Sequence, residues 1–444
     1  ASGNKEYDAV LYDSVDIDKP HRLEKMGLPY IFYASSVEST GALIIDPGVE
    51  IRVVTGFYVN GSIKAIGTPA EPILITGVNK TPGGWWGLNV SGGSQGVANV
   101  WLDYVTVEYG GSDNSDYGVN LIVSTANVTV TNSTLRNSST YGLYNSGGAP
   151  DEQYGVNVSN TTISGNQKGA VVCEDESCNM ALTNLQVSGN GLDAIIFRSY
   201  VLGNSTWHNI GLPYVVEGQG GVAQGGTLTL DPGVEVRMAQ DASFAIDGVL
   251  SAVGTLQQPV VFTGTQAQKG WWKGMTIGRN GVAELRYCDI GYGGNWGQIA
   301  NTGMISVQGS RLAITNCRIH DSSSAGFVVV AGAEPTIMNN RIENNAKGLE
   351  AVFPLSPVDA RNNWWGDASG PKHPNNPNGQ GQEIVGEVLF DPWLTSPDQN
   401  GGGPSGIVVE LGGPGRFAPG DTVVYSVFYY NGTNNTIDNA VLRF

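Results

Sequence analysis

The side chains best suited to catalysis fall in one stretch of the sequence: Arg318, the pair His320-Asp321, and Arg341. A polysaccharide lyase needs an Arg or Lys as the Brønsted base at the sugar C5, usually with Ca²⁺ held by clustered carboxylates. A glycoside hydrolase needs two or three carboxylates that converge on one groove. The sequence contains neither set in recognisable form. We therefore interpret these side chains as solvated strand ends and predict no catalytic residue.

Two short segments carry enough acids and thiols to raise the question of a metal site. CEDESC (173–178) holds three acids and two thiols, but zinc would require two more ligands. We therefore predict a local disulfide between Cys173 and Cys178. DNSDYG (113–118) could hold a weakly bound structural Ca²⁺, although Asp and Asn are also ordinary turn residues. We expect no cofactor and no metal site.

A long internal repeat organises the chain. LPYIFYASSVESTGALIIDPGVEIRV (28–53) returns as LPYVVEGQGGVAQGGTLTLDPGVEVRM (212–238), and VNGSIKAIGTPAEPILITG (59–77) returns as IDGVLSAVGTLQQPVVFTG (246–264). The shift stays near 185 residues, which indicates two tandem copies of one large unit. Where the second copy has Arg318 and His320-Asp321, the first has Thr134 and Arg136-Asn137, so a site there would exist only once.

A finer period of 23 to 28 residues runs inside each copy. Its segments alternate apolar and polar residues around an Asn, which predicts short strands stacked in parallel about 4.8 Å apart. Each Asn is expected at an inward bend, where amides bond along a column. A sandwich with Asn-rich turns is the alternative, but it would not need one register over six segments. The predicted columns are Asn132, Asn160 and Asn184 in the first copy, and Asn316, Asn339 and Asn362 in the second.

Two further cysteines follow corner positions of this pattern. Cys317 follows Asn316, and Cys288 follows Tyr287, which holds the same position one turn earlier. Residues in register on adjacent turns have Cα atoms within disulfide range. We therefore predict a second disulfide, Cys288–Cys317.

Tryptophan pairs stand beside glycine in GGWWGLNV (83–90), KGWWKGMTIG (269–278) and NNWWGDASGP (362–371). Adjacent residues on a strand point to opposite faces, so one ring of each pair should fill the interior while the other covers the surface. Packing is the predicted main role. The alternative is that the outward rings stack on sugars, with Trp86, Trp272 and Trp365 as candidates.

Composition limits the class of protein. Charged residues make up 14% of the 444 residues and glycine accounts for 63, a balance that argues against a helical protein. The net charge of −17 argues against nucleic acid or anionic lipid as a partner. No apolar run reaches the roughly 18 residues of a membrane span.

Eleven Asn-x-Ser/Thr sequons, the scarcity of Lys and the four cysteines together favour an extracellular or cell-surface location. Asn132 and Asn160 are poor acceptors if they face inward. The glycosylation candidates are Asn60, Asn79, Asn89, Asn127, Asn137, Asn157, Asn204, Asn431 and Asn434.

The segment NNWWGDASGPKHPNNPNGQGQEIVGEVLFDPWLTSP (362–397) resembles the closing segment of right-handed parallel β-helix surface proteins of bacteria and archaea. The stretch from TLDPGVEVRM to KGWWKGM resembles their opening turns. The resemblance implies an all-β, right-handed parallel β-helix over about 28–397. The sequence lacks the Asn-Thr-Asp, Gly-His-Gly and Arg-Ile-Lys sets of polygalacturonases and the Asp-Pro-His-Asp signature of alginate epimerases.

The C-terminal segment resembles the start of an Ig-like surface-protein module, but is far shorter than the roughly 100 residues of such a sandwich. It is either a fragment or completed by another chain. Strand donation by residues 5–18 would build an open filament. The predicted organisation is an N-terminal extension (1–27), two β-helix copies (28–211 and 212–397), a Gly-rich linker (398–406) and a partial Ig-like β-sandwich (407–444).

These features predict a structural or adhesive surface protein whose β-helix is a rigid stalk or filament subunit. Expected partners are copies of the same chain, neighbouring surface proteins or glycans. The alternative function is a carbohydrate-active or glycan-binding β-helix of the polysaccharide lyase type.

Overall fold

The computed structural model describes residues 8–92, 96–112, 117–147, 155–174, 180–297, 301–308 and 311–397, together with the backbone of two strands at 407–412 and 426–431. Every regular element in these ranges is a β-strand. Among the described residues, no helix is long and apolar enough to cross a membrane.

The first part of the chain forms short strands separated by turns. These are β1 (Val10–Asp13), β2 (Asp16–Ile17), β3 (Pro20–Leu23), β4 (Tyr30–Tyr33), β5 (Ser36–Val37), β6 (Ala42–Ile45), β7 (Glu50–Val53), β8 (Phe57–Val59), β9 (Ser62–Ile66), β10 (Ile73–Gly77), β11 (Leu88–Ser91), β12 (Ala98–Asp103), β13 (Val105–Glu108), β14 (Leu121–Ser124), β15 (Ala126–Thr131), β16 (Thr134–Arg136), β17 (Tyr141–Gly147), β18 (Val156–Ser159), β19 (Thr162–Ser164), β20 (Gly169–Cys173), β21 (Met180–Thr183) and β22 (Gln186–Ser188).

The second part continues in the same manner, and a separate pair of strands follows it. The strands are β23 (Ile195–Phe197), β24 (Tyr200–Val201), β25 (Asn204–Trp207), β26 (Tyr214–Val216), β27 (Gln219–Val222), β28 (Thr227–Leu230), β29 (Glu235–Met238), β30 (Ser243–Ile246), β31 (Val249–Val253), β32 (Val260–Gly264), β33 (Gly274–Ile277), β34 (Val282–Arg286), β35 (Cys288–Gly291), β36 (Ile305–Val307), β37 (Arg311–Thr315), β38 (Arg318–His320), β39 (Ala325–Val330), β40 (Thr336–Met338), β41 (Arg341–Glu343), β42 (Lys347–Val352), β43 (Val358–Asp359), β44 (Ile384–Val385), β45 (Val388–Leu389), β46 (Ile407–Gly412) and β47 (Ser426–Asn431).

Every third strand pairs in parallel, so three strands make one turn of a coil. Sheet A (β1 to β22, every third strand) has 8 strands and sheet C (β3 to β21) has 7. Sheet B (β2 to β41) has 14, while sheets D (β24 to β42, then β44) and E (β25 to β40) have 8 and 6. This is the parallel β-helix that the sequence predicts.

Alternation along each strand places the core inside the coil. In β28 and β29 every second residue is buried, and the intervening ones are partly exposed. Because like positions stack on successive turns, inward Val, Ile, Leu and aromatic side chains form one continuous core along the axis. Such stacking of ladders and core side chains makes the coil a stiff scaffold for whatever its outer faces display.

Among the described residues, sheet B is the one sheet that runs through both copies. There β20, β23 and β26 continue the ladder in register, whereas sheets A and C end at β22 and β21 and sheets D and E start at β24 and β25. Each copy begins with the sequence LPY, which leads into β4 in the first copy and into β26 in the second. Strand β4 belongs to sheet A, but β26 belongs to sheet B. The second copy is therefore set one face further around the axis.

The described part of the predicted N-terminal extension (8–27) belongs to the β-helix itself. Strands β1, β2 and β3 form a complete first turn that pairs with β4, β5 and β6 of the same coil. Strands β23 to β25 likewise form a turn directly before the second copy, which starts with the repeated sequence LPY (212–214). Strand donation to a neighbour by the described part of 5–18 is therefore wrong, because its strands are used within the chain.

The predicted Ig-like module is described only as the antiparallel pair β46–β47. Residues 398–406, which include the predicted linker, lie outside the described residues, as do 413–425 and 432–444. The Ig-like fold stays a prediction.

Candidate binding groove

The predicted Asn columns mark the sharp corners of the coil. Each of the six residues has a positive φ, between 49° and 57°, and each corner turns in a single residue. Asn tolerates this left-handed conformation better than most residues. The left-handed residue interrupts the alternation of faces, so the Asn points outward and its successor points inward. The prediction that these asparagines face inward is wrong: Asn316 is half-buried, and Asn132, Asn160, Asn184, Asn339 and Asn362 are exposed.

Buried amides do form columns, at other positions. Asn340 and Asn363, which follow two of the corner residues, bond through Nδ2 and Oδ1 at 3.1 Å. In the first copy, Asn166 accepts from Asn120 at 3.0 Å and donates to Asn190 at 2.8 Å. On the outer surface only the Asn184–Asn160 pair, at 2.7 Å, bonds along a predicted column among the described residues.

A charged row lies on the outer face of sheet B in the second copy. Asp289, Arg318 and Arg341 stack directly on successive turns, and Trp364 bridges to Arg341 on the next turn. The sequence analysis named Arg318 and Arg341 among the side chains best suited to catalysis, and the structure places them side by side. Asp289 and Trp364 were missed, because only the strand register shows that they share this row.

Glu343, in the neighbouring outward row, holds both arginines. Nε of Arg318 donates to Glu343 Oε1 at 2.9 Å, and Nε of Arg341 lies 2.7 Å from Oε2 without pointing its N–H at that oxygen. Burial alone would lower the pKa of Arg318, but the hydrogen bond to Glu343 and the charge of Asp289 raise it. Among the described residues, the Nη groups of Arg341 have no protein partner.

His320 is buried between two carboxylates. Its Nε2 lies 2.6 Å from Oδ1 of Asp289, and its Nδ1 lies 2.7 Å from Oδ2 of Asp321. Burial alone would lower the pKa of His320, but these hydrogen bonds outweigh it and raise the pKa above 6.5. Gly291 stands under the ring, where a Cβ would come within 2.6 Å of it. The imidazole has no nitrogen left to contact a substrate.

The charged row lies in a cleft of about 210 Å³. The corner residues Tyr287, Asn316 and Asn339 run along the cleft beside the row. The loop at 255–259 closes one end, and a C-terminal strap (391–397) closes the other. The strap is fixed to the coil by backbone bonds from Leu394 to Asn363 and from Asn362 to Pro392.

The first copy has the same face with an uncharged row beside the corner. On sheet A, Thr106, Thr134 and Thr162 stack in the row that corresponds to Asp289, Arg318 and Arg341. The corner column beside it has the same residue types, starting with Tyr104 where the second copy has Tyr287. The charged row is thus a property of the second copy alone.

The predicted Cys288–Cys317 disulfide is wrong, since both residues are free buried thiols. The backbone N–H of Cys288 donates to Sγ of Cys317, and Sγ of Cys288 contacts the carbonyl of Ala252 on the previous turn. On stacked parallel strands the two Cβ atoms point the same way, so the sulfurs stack instead of converging. Burial raises the pKa of the Cys288 thiol. Cys173 is disulfide-bonded, and its predicted partner Cys178 lies outside the described residues.

The first two tryptophan pairs divide between interior and surface, but not as predicted, and in the third pair both Trp364 and Trp365 are buried. Trp86 is outward, with 38% of its surface exposed, whereas Trp272 and Trp365 are fully buried. Sugar stacking by Trp272 and Trp365 is therefore excluded, and stacking by Trp86 stays a prediction. Trp85 and Trp272 are the equivalent residues, because their Nε1 atoms donate to the corresponding carbonyls of Glu108 and Gly291.

The sequons differ in access. Asn79, Asn157 and Asn204 are exposed, and Asn60, Asn89, Asn127 and Asn137 are half-buried. The amide of Asn127 donates to Asn99 at 3.2 Å and its oxygen accepts from Gly155, so this side chain is already engaged within the coil. The side chain of Asn431, the whole of Asn434 and most of the predicted Ca²⁺ segment (113–116) lie outside the described residues.

A family model described as the right handed beta helix region matches residues 252–370. The fold is a right-handed parallel β-helix. Within this β-helix the match covers the charged row from Asp289 to Trp364. No curated protein and no solved structure gives a significant match to the chain.

Proposed function

We propose that this chain is an extracellular structural or adhesive protein whose β-helix serves as a rigid stalk or filament subunit. The observation that carries the proposal is the unbroken 14-strand ladder of sheet B over a continuous core. At about 4.8 Å a turn, this ladder spans roughly 60 Å. A scaffold of this kind holds a surface at a fixed distance and orientation.

We also propose that the chain is not a polysaccharide lyase or hydrolase. A lyase base must be able to lose a proton, whereas the pKa of Arg318 is raised by its bond to Glu343 despite partial burial. Both nitrogens of His320 are engaged by carboxylates. With these contacts, neither Arg318 nor His320 is suited to act as the base of a lyase reaction.

Electron microscopy of natively isolated material tests the structural role. We expect straight rods, either single or joined into filaments through self-association. Compact particles without a rod would contradict the proposal.

An absorbance assay tests the exclusion of lyase activity. Incubation with uronate polymers should give no unsaturated product near 230 nm. A product signal that disappears in Arg341→Thr but persists in Arg136→Thr would establish the enzyme alternative.

A further inference from the structure

We propose that the cleft over Asp289, Arg318, Arg341 and Trp364 binds an oligosaccharide that carries a single carboxylate. This goes beyond the scaffold role and does not depend on it. The first observation is the pair of guanidinium groups one turn apart, with side chains 42% and 41% exposed. A guanidinium presents donors in a planar fork that matches a carboxylate.

Glu343 orients this pair for an external anion. It occupies the Nε side of both arginines from the neighbouring row, at 2.9 and 2.7 Å. Glu343 covers the Nε of Arg341, whereas the Nη groups of Arg341 donate no hydrogen bond to the protein among the described residues. A partly buried cation with unused donors, inside a cleft, is a ready site for an anionic group.

The rest of the cleft fits a sugar better than a peptide. Asn316 and Asn339 present side-chain amides at the 4.8 Å repeat of the coil, and each amide offers both a donor and an acceptor for hydroxyl groups. Half-buried Tyr287 adds ring surface to the same cleft, and Trp364, which is only 8% exposed, lines it. The cleft crosses the outer face of paired strands, so a peptide would find no open strand edge to extend.

The charge of the protein and the size of the cleft favour a small sugar ligand that carries few negative charges. The protein carries a net charge of −17, which repels a dense polyanion. Asp289 and Glu343 already balance the two arginines formally, so the cleft has no excess positive charge to hold a dense polyanion, and a ligand with a single carboxylate fits better. A volume of about 210 Å³ suits one sugar ring at the end of a chain.

Isothermal titration tests the site with matched ligands. The ligands are a trisaccharide ending in glucuronic acid, the same trisaccharide with its carboxyl reduced to a hydroxymethyl group, and an acidic peptide. We expect wild-type protein to bind the acidic trisaccharide and to bind the other two at least tenfold more weakly. Absence of binding at millimolar concentration, equal binding of the reduced sugar, or equal binding of the peptide would each overturn the proposal.

Matched variants locate the binding. Arg318→Thr and Arg341→Thr install the residue types that the first copy has at Thr134 and Thr162, and each should weaken binding roughly 10- to 100-fold. Arg136→Thr removes an arginine paired to Glu108 in the first copy, outside the cleft, and should bind like wild type. Unchanged binding in Arg341→Thr refutes the site. If that variant unfolds, Arg341→Lys keeps the charge but not the fork, and unchanged affinity there also refutes it.

Discussion

The two copies build the same corner with different outer rows. On sheet A of the first copy, threonines occupy the row beside the corner column, and on sheet B of the second copy Asp289, Arg318 and Arg341 occupy it. Inward residues of the same strands stay apolar in both, for example Leu135 and Ile319. The core must fit the stack above and below, whereas an outward position only has to tolerate water. Duplication therefore left the scaffold fixed and the surface free to differentiate.

The equivalence of Trp85 and Trp272 gives the largest expected effect. Each ring is fully buried, so Trp85→Ala and Trp272→Ala should each lower the free energy of unfolding by about 3–5 kcal/mol. Trp86→Ala is the surface control and should cost less than about 1 kcal/mol. Denaturant titration measures all three. If Trp272→Ala behaved like Trp86→Ala, the proposed equivalence would fail.

Removing the side chain of the inward residue that follows the corner should lower the free energy of unfolding more in the second copy than in the first. Asn340 accepts from the N–H of Cys317 at 3.0 Å and donates to Ile314 at 2.9 Å, so Asn340→Ala leaves two buried backbone groups unpaired. We expect a loss of about 2–4 kcal/mol, against about 1 kcal/mol for the first-copy counterpart Thr161→Ala. Asn339→Gly keeps the left-handed corner and should be nearly neutral. Equal losses at Asn340 and Asn339 would show that the inward residue has no special role.

The carboxylate-bound histidine should make stability depend on pH. Because the folded pKa of His320 is raised, its protonated form adds stability below pH 6.5 that is lost as pH rises through the folded pKa. Burial alone would raise the pKa of Asp289, but the hydrogen bond with His320 outweighs it and lowers the pKa. The stability that ionised Asp289 adds is therefore lost only as the pH falls through this lowered pKa.

A melting series from pH 4.5 to 8.5 measures this dependence. Wild type should exceed His320→Gln by about 1–3 kcal/mol near pH 5, and the gap should narrow by pH 8. A constant gap across the series would contradict the linkage.

Exchanging the charged row for the threonine row should have the smallest effect on folding. Arg318 and Arg341 are about two-fifths exposed, so their ion pairs with Glu343 are screened by solvent. Arg318→Thr or Arg341→Thr should change the free energy of unfolding by less than about 1 kcal/mol. A larger loss by thermal denaturation would mean that the row serves the scaffold instead of a ligand.

The sequence predicted the parallel coil and the location of its corners, because period and alternation follow directly from stacking. It failed on the direction of the corner residues. Strict alternation would place Asn132 inward after Val130, but the left-handed residue inserts a second outward position, so Ser133 points inward instead. The pattern of residue types in the sequence does not show which residue adopts the left-handed conformation, so it could not predict the direction of these side chains.

The tryptophan error had a different origin. Residues 59–77 and 246–264 correspond with a shift of 187, and the same shift places Trp85 on Trp272. Aligning the two Trp pairs letter by letter, with a shift of 186, would instead equate Trp86 with Trp272. The free thiols and Asp289, in contrast, needed the structure, because side-chain direction and strand register decide them.

The single ladder at the junction has a mechanical consequence. Elsewhere along the coil, a pull along the axis is shared by the ladders of three faces. Between the copies, the described strands leave that load to the short run through Val171, Ile195 and Tyr214. Under tension or bending, the rod should yield first at this point, with the two copies swinging about sheet B while each remains intact.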